Sequence, residues 1–193
     1  MFCYLIRHGA DDNTVRGGWS QAPLTEEGIL QVEQLSNEIA NNLKIEKIYT
    51  SDLKRAFQTA QIIGNRLSLP LTLTPQFRET NNGDLAGMDN DLALKRYPGL
   101  FWNQLKWEQC YPNGESPKQF YERVASAWEK FSQQIQKNDM DVILVTHGGV
   151  IQVILSIINN ERYSNTAKHR TIPHASIISI TNSNGLWQER RNI

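Results

Sequence analysis

The chain has 193 residues and a mass of 22.1 kDa, a length that suits one domain with at most a modest insertion. Its 20 basic and 20 acidic side chains cancel, whereas general nucleic-acid binding usually shows as a basic excess. Two cysteines are too few for a disulfide framework or a cysteine-based zinc site, and no apolar run approaches the roughly 20 residues of a membrane span. We therefore expect a cytoplasmic protein without a nucleic-acid or membrane partner, of undetermined oligomeric state.

The first part of the chain alternates between strand and helix patterns. Phe2–Ile6, Ile45–Thr50 and Leu71–Thr74 are short apolar or β-branched runs of the kind found in strands. Apolar residues at steps of three and four predict helices over Glu26–Leu43 and Leu53–Leu67. Each predicted helix follows a predicted strand, which is the order of an α/β fold.

Polar residues mark where two helices are expected to begin. Ser51 or Asp52 is placed to cap the second helix, and Ser116 with Gln119 has the spacing of a capping box at the start of a long helix. Between these helices, residues 84–116 are rich in aromatic side chains and interrupt the alternation. We interpret this segment as an inserted lid with a short helix.

The last part of the chain predicts the remaining strands. Asp141–Val145 is the clearest buried strand, and an apolar helix follows it through Ile158. Ser176–Ile180 and Trp187–Arg190 predict two final strands at the sheet edge. Alternating β and α elements predict a three-layer α/β/α fold with a mostly parallel central sheet, formed by residues 1–193 as a single domain.

Five reactive side chains fall at equivalent places in this predicted fold. Arg7 and His8 end the first strand, Arg55 lies in the first turn of the helix after the second strand, Glu79 comes just beyond the third, and His147 ends the fourth. Open α/β sheets bind ligands outside the carboxyl ends of their strands. The sequence therefore predicts that these side chains converge on one crevice.

Such a set of side chains suits the transfer of a phosphoryl group. Two arginines offer permanently charged forks that match phosphate oxygens, and helix N-termini add backbone donors. A neutral imidazole can attack phosphorus, while a carboxylic acid can protonate a leaving alkoxide. Because phosphoryl transfer needs mainly in-line positioning and charge neutralisation, this set requires no metal ion.

The chain also resembles the histidine phosphatase superfamily, the phosphoglycerate mutase-like proteins. The resemblance begins with the R-H-G signature in Leu5–Ala10 and continues in family order along nearly the whole chain. The further matching segments are Gly18-Trp19, Pro23–Gly28, Thr50–Ala56 with Gln58–Ala60, Arg78-Glu79 with Gly83 and Gly87, Gly114–Ser116, and Val145–Gly149. One R-H-G is weak support, but this ordered series is specific.

The resemblance implies a role for each matched residue. His8 would be the phosphorylated nucleophile, and Glu79 would protonate the leaving group and later activate water. The groups that would hold the phosphoryl oxygens are Arg7, Arg55 and His147. The further substrate-binding candidates are Asn13, Gly17, Gly18 and Gly148. Relatives carry their asparagine six residues after the nucleophile, whereas Asn13 comes one residue earlier.

Three functions are compatible with these motifs. We favour a phosphomonoester hydrolase acting on a small phosphorylated metabolite, over a cofactor-dependent phosphoglycerate mutase and over an inactive phosphoester-binding protein. Mutases carry an E-R-H-Y-G-like acid motif, whereas residues 79–83 read E-T-N-N-G. Residues 84–116 have a formal net charge of −2, from three basic and five acidic residues. This acidic, aromatic lid predicts a substrate with one phosphate and a neutral or apolar body. Trp102 and Trp107 of the lid are expected either in the core or in the pocket wall.

Two further histidines, His169 and His174, raise the question of a metal site. Their spacing forms neither H-x-x-x-H nor H-E-x-x-H, and no clustered ligand pattern accompanies them. We therefore expect no metal and no cofactor, and a structural role for His174.

Overall fold

The computed structural model describes residues 1–183 and 185–190. Residues 184 and 191–193, which the predicted single domain includes, lie outside the described residues. The strands are β1 (Phe2–Arg7), β2 (Lys47–Thr50), β3 (Leu71–Leu73), β4 (Val142–Thr146), β5 (Ile177–Ser183) and β6 (Leu186–Glu189). The helices are α1 (Glu26–Asn42), α2 (Lys54–Leu67), α3 (Asn90–Arg96), α4 (Pro117–Asn138) and α5 (Gly148–Ile158).

The strands form one sheet in the order β3-β2-β4-β1-β5-β6. The pairs β3/β2, β2/β4 and β4/β1 are parallel, whereas β5 and β6 are added in antiparallel fashion. The mostly parallel α/β sheet is therefore confirmed. The predicted edge position of Ser176–Ile180 is wrong, because β5 pairs with β1 on one side and β6 on the other. An alternating pattern reports which face of a strand is buried, not how many neighbours it has.

Helices cover both faces of the sheet. On one face, Tyr4 and Ile6 of β1 pack with Val32 of α1 and Ile63 of α2 in one apolar cluster. The strand residues whose side chains point to the other face of the sheet pack against α4 and α5 in a second cluster. This arrangement confirms the three-layer α/β/α architecture. None of the helices in the described part of the chain has the length and apolarity needed to cross a membrane.

The two predicted helix caps have different outcomes. Ser116 Oγ accepts a hydrogen bond from the Gln119 backbone at 3.2 Å, and the Gln119 side chain accepts one from the Ser116 backbone at 2.9 Å, which confirms the capping box of α4. The predicted polar cap of α2 is wrong, because Leu53 occupies that position without a side-chain cap. Asp52 instead binds Arg78, whose hydrogen bonds hold the pKa of that carboxyl below its usual range.

The segment between β3 and α4 forms a small cap beside the sheet. It contains α3, which confirms the short helix, and a 3₁₀ turn at Trp102–Gln104. Leu85, Leu105 and Tyr111 are buried together as a separate apolar cluster. The segment thus has its own packing and covers one side of the ends of the parallel strands.

Candidate active site

The carboxyl ends of β1 and β4 bring two histidines together. Arg7 lies opposite Thr146 in the parallel register, and the His8 backbone donates to the Thr146 carbonyl at 3.0 Å. His8 and His147 therefore leave neighbouring strands at the same level. Their ring centroids are 5.1 Å apart, and both side chains are almost fully buried.

The carboxyl ends of β2 and β3 supply the other predicted side chains. The backbone of Ser51, directly after β2, donates to the Val145 carbonyl of β4, which sets the level at which α2 begins. Arg55 in its first turn reaches His8, with 3.2 Å between Nε and the imidazole Nε2. A 3₁₀ turn after β3 leads to Glu79, whose carboxylate meets the first turn of α5. The structure thus brings all five side chains together at the carboxyl ends of the parallel strands.

His8 is held in the form required of a nucleophile. Its Nδ1 lies 2.8 Å from the Gly9 carbonyl, an acceptor, so Nδ1 carries the proton and Nε2 has the lone pair. Burial, together with the positive charges of Arg55 and Arg7, lowers the pKa of His8 well below 6.5. The imidazole therefore stays neutral, with the lone pair of Nε2 facing Arg55.

Arg55 connects His8 to the loop that follows β1. Its guanidinium donates to the Gly18 carbonyl at 2.7 Å and to the Ser20 carbonyl at 3.1 Å, while Nε faces His8. Gly18 has a φ of +55°, and a Cβ there would overlap the Asn82 side chain. A glycine is therefore required where the loop passes the site.

Two buried nitrogens beside His8 lack a hydrogen-bond partner among the described residues. His147 Nε2 lies 2.9 Å from Ser51 Oγ, while its Nδ1 is buried and unpartnered. Arg7 Nε is likewise buried and unpartnered, although its two terminal nitrogens contact the Ile172 carbonyl and His174. Because buried polar groups are rarely left unsatisfied, these nitrogens indicate a ligand site, and the positive charge of Arg7 favours an anion there.

Glu79 is fixed at both its main chain and its side chain. The Trp19 indole donates to its carbonyl at 2.7 Å. Its two carboxylate oxygens accept from the backbone N–H groups of Thr80 and Gly149, each at 3.1 Å. A Cβ at Gly149 would collide with this carboxylate, so the glycine allows Glu79 to approach α5. Gly148 lies beside Arg7, since a Cβ there would be 3.6 Å from Arg7 Nε.

Arg123 of α4, which the sequence did not single out, anchors the segment that carries Glu79. Its guanidinium donates to the carbonyls of Gln76, Arg78 and Glu79 at 2.8–3.1 Å. Glu115, from the predicted Gly114–Ser116 motif, holds that guanidinium with both carboxylate oxygens. Arg123 acts on the main chain of this segment, so we describe it as a positioning residue.

Replacing Arg123 with alanine is expected to lower kcat by about 10²-fold with little change in KM, because small displacements of a catalytic group cost that much. The loss should be larger for alkyl than for aryl phosphates if Glu79 is the proton donor that the resemblance implies. Steady-state kinetics on both substrate classes test this. The matched control is Arg66→Ala on α2, an exposed arginine whose side chain donates to Asn37. Equal losses on both classes, or a KM effect alone, would contradict the positioning role.

A pocket of about 320 Å³ opens beside Glu79. Its lining residues are Arg16, Gly17, Gly18, Glu79, Thr80, Asn82, Trp102, Tyr111, Gly149 and Gln152. Trp102 therefore belongs to the pocket wall. Trp107 lies in a different depression, near the rings of Tyr121 and Tyr163.

Comparisons with known proteins agree with this geometry. Residues 3–192 match the family described as the histidine phosphatase superfamily (branch 1). The chain belongs to the histidine phosphatase superfamily. The uncharacterized phosphatase PhoE of Bacillus subtilis is 31% identical over 158 residues, which cover 80% of this chain and 76% of the relative.

Relatives of this histidine phosphatase superfamily member include mutases as well as phosphatases. A 2,3-bisphosphoglycerate-dependent phosphoglycerate mutase of Bartonella bacilliformis is 29% identical over 171 residues, covering 80% of this chain and 79% of the mutase. The crystal structure of a putative alpha-ribazole-5'-P phosphatase from Escherichia coli superposes with a TM-score of 0.83 at 23% identity, covering 98% and 94% of the two chains. That structure supports the fold.

Of the residues in the loop after β1 that were predicted to bind substrate, some line the pocket and one does not. Gly17 and Gly18 line the pocket. Asn13 is exposed, and its carbonyl accepts from the Asn90 side chain at 2.8 Å, outside the pocket lining. The structure therefore gives no support for a substrate contact by Asn13, whose position in the sequence also differs from that of relatives.

His174, for which we expected a structural role, lies in the site. Its Nε2 is 2.6 Å from a terminal nitrogen of Arg7 and 3.7 Å from the carboxylate of Asp11. Burial and the charge of Arg7 lower the pKa of His174. The loop before β5 carries no periodic pattern, so this contact could not be predicted from the sequence.

His8, Asp11 and His174 together offer possible metal ligands within 4.8 Å of one another. The imidazole Nε2 atoms of both histidines already accept from guanidinium groups, those of Arg55 and Arg7. The Asp11 carboxylate lies 3.4 Å from Arg55 Nε. A divalent cation here would face two permanent positive charges, so these residues fit an anion better than a metal ion.

Proposed function

We propose that this protein hydrolyses phosphomonoesters of small metabolites through a phosphohistidine at His8. It is a phosphatase of the histidine phosphatase superfamily. The observation that carries the proposal is the pair of buried, unpartnered nitrogens of Arg7 and His147 beside the neutral imidazole of His8. A phosphoryl group placed there would accept from Arg7, and from His147 Nδ1 when Ser51 donates to Nε2 of that ring, and phosphorus would lie next to His8 Nε2.

In the first step, His8 Nε2 attacks phosphorus and the P–O bond to the leaving alcohol breaks. The electron pair of that bond stays on the alcohol oxygen, which takes a proton from Glu79. Arg7, Arg55 and the Nδ1–H of His147 would neutralise the charge on the transferring oxygens, the main requirement of this reaction. The product is an alcohol, with the phosphoryl group on His8.

In the second step, Glu79 takes a proton from a water molecule while the oxygen of that water attacks the phosphohistidine. The P–N bond breaks, and its electron pair returns to Nε2 of His8. Inorganic phosphate leaves, and Glu79 is protonated again for the next turnover. The same carboxyl thus serves as acid and then as base.

The proposed reaction uses neither a metal ion nor a cofactor, because the arginines supply the positive charge that a metal ion would otherwise provide. The partner is a small phosphoester, and we place the protein in the cytoplasm. The proposal treats residues 1–193 as one domain, with the insertion at about 84–116 forming one side of the substrate pocket.

A phosphoglycerate mutase is the second candidate function, because mutases are among the relatives at about 30% identity. The sequence E-T-N-N-G at residues 79–83 lacks the arginine and tyrosine of the mutase-like motif. Asn82, at the place of the tyrosine, accepts a hydrogen bond from the backbone of Trp19. The missing arginine and tyrosine favour hydrolysis over phosphoryl return.

Phosphatase activity and mutase activity are distinguished by offering 3-phosphoglycerate with catalytic 2,3-bisphosphoglycerate. We expect release of inorganic phosphate to exceed isomerisation, because a mutase must exclude water and return the phosphoryl group to the bound product. Both products are followed in one reaction by phosphorus NMR. Fast isomerisation with negligible phosphate release would overturn the hydrolase proposal.

An inactive phosphoester-binding protein is the third candidate. The proposed mechanism gives a role to each of the grouped side chains His8, Glu79, Arg7, Arg55 and His147. Binding alone needs neither the neutral His8 nor Glu79. Turnover of a generic aryl phosphate distinguishes catalysis from binding, and its absence would favour the third candidate.

A further inference from the structure

Arg16 is held rigidly at the rim of the pocket. Its backbone N–H donates to the Met88 carbonyl and its carbonyl accepts from the Gly87 N–H, each at 2.8 Å. Its guanidinium carbon lies 4.5 Å from the centre of the Phe101 ring, so the flat group packs on an aromatic face. Main chain and side chain are therefore positioned before a substrate binds.

The guanidinium of Arg16 lacks the partners that neighbouring arginines have. Its Nε is buried without a hydrogen-bond partner. Arg78 and Arg123, by contrast, are ion-paired with Asp52 and Glu115. No carboxylate of the described residues lies within 4.0 Å of an Arg16 nitrogen. A charged fork with an unsatisfied buried donor is suited to receive oxygens from a ligand.

This guanidinium lines the same pocket as Glu79. Burial raises the pKa of Tyr111, another wall residue, to about 12, so its hydroxyl is neutral there. Arg16 is thus the cationic group of the pocket wall, on the side where the body of a phosphoester would extend. The pocket volume of about 320 Å³ is near the lower end of ligand sites, which indicates a small body.

The acidic residues of the inserted segment do not oppose this charge inside the pocket. They are Asp84, Asp89, Asp91, Glu108 and Glu115. Glu115 binds Arg123 and Glu108 binds Lys118, and none of the five lines the pocket. The expectation of a neutral or apolar substrate body rested on their net charge, and the structure removes that basis because these charges lie elsewhere.

We infer that Arg16 binds a second anionic group of the substrate, a carboxylate or a second phosphate, and thereby selects small phosphoesters that carry one. This inference rests on the proposed hydrolysis and names its substrate class. The guanidinium fork matches either anion with two parallel hydrogen bonds. Its fixed position lowers the entropy lost when the anion binds.

The test compares esters that differ only in that second group. The probes are 3-phosphooxypropanoate, its uncharged carboxamide, and the bisphosphate of propane-1,3-diol. We expect the kcat/KM of the unaltered protein to be higher for the carboxylate, for the bisphosphate or for both than for the carboxamide. Preference for the carboxylate probe, the bisphosphate or both then identifies the anion that Arg16 accepts.

Arg16→Gln should reduce that preference by about 10- to 100-fold, the value of a hydrogen bond to a charged group. Arg16→Lys keeps the charge without the fork and should retain part of the preference. The matched control is Arg96→Gln, an exposed arginine of α3 in the same segment, which should leave the preference intact.

Two results overturn the inference while hydrolysis stands: no preference in the unaltered protein, or an unchanged preference in Arg16→Gln. Failure of the unaltered protein to release phosphate from any ester, including an aryl phosphate, would instead overturn the proposed function and this inference with it. The two failures are therefore distinguishable in one set of assays.

Discussion

Replacing His8 with alanine is expected to lower phosphate release by about 10⁴-fold or more, the scale of loss when a covalent nucleophile is removed. The reason is that His8 Nε2, which is unprotonated and lies 3.2 Å from Arg55 Nε, is the atom proposed to attack phosphorus. Initial rates with an aryl phosphate measure the loss. His169→Ala is the matched control, because that ring stacks on Tyr163 and bonds the Ser164 carbonyl.

A His8→Ala protein with more than a few per cent of normal activity would contradict the mechanism. A change in fold would also lower the rate, so circular dichroism should accompany the kinetics. His8→Asn provides a second variant, since its amide can still bond the Gly9 carbonyl without acting as a nucleophile. Both variants should be inactive although folded.

Replacing Glu79 with glutamine is expected to lower kcat/KM for alkyl phosphates by about 10²- to 10⁴-fold, the usual contribution of a general acid. For 4-nitrophenyl phosphate the loss should be much smaller, because nitrophenolate leaves without protonation. The parameter kcat/KM is used because it reports the formation of the phosphoenzyme. Hydrolysis of that intermediate, which also needs Glu79, is common to both substrates.

The two-substrate comparison also separates loss of the proton donor from a general distortion of the site. A glutamine must place its NH₂ against the N–H of Thr80 or Gly149, which can disturb the neighbouring backbone. A distortion that reached the phosphate-binding groups would affect both substrate classes equally, whereas loss of the proton would not. Glu161→Gln, an exposed carboxylate, is the control. Equal losses on both classes would assign the acid role to another residue.

The sequence predicts the site well where strand ends determine it. Parallel strands end at one edge, so residues directly after them must meet there, and His8 and His147 do. Arg55 follows the same logic, because the first turn of α2 starts from that edge. Chain order and the level of the strand ends were enough, without any knowledge of side-chain contacts.

The sequence does not predict residues whose position depends on loop packing. Arg16, Asp11 and His174 come from irregular segments, and no periodic pattern states which way such side chains point. Asp52 shows the same limit in another way. Its position favoured a helix cap, but an arginine 26 residues further along competes for the carboxylate and binds it. Tertiary partners thus override local preference.

The net charge of a segment does not predict the charge of the pocket beside it, because tertiary contacts decide which side chains line the pocket. The inserted segment is acidic overall, yet its carboxylates bind surface or positioning groups such as Lys118 and Arg123. The pocket wall instead receives Arg16, which lies outside that segment in sequence. The charge that a substrate meets depends on which side chains line the cavity, and composition does not specify that.

The central claim is that His8 carries the phosphoryl group during turnover. Its most direct test is intact-protein mass spectrometry after rapid quenching, without acid, of the reaction with a phosphomonoester. The account predicts an added phosphoryl group that is lost in acid, is present in the unaltered protein and in His169→Ala, and is absent in His8→Ala. A phosphorylated His8→Ala protein, or full turnover with no trapped intermediate under any quench that preserves phosphohistidine, would contradict it.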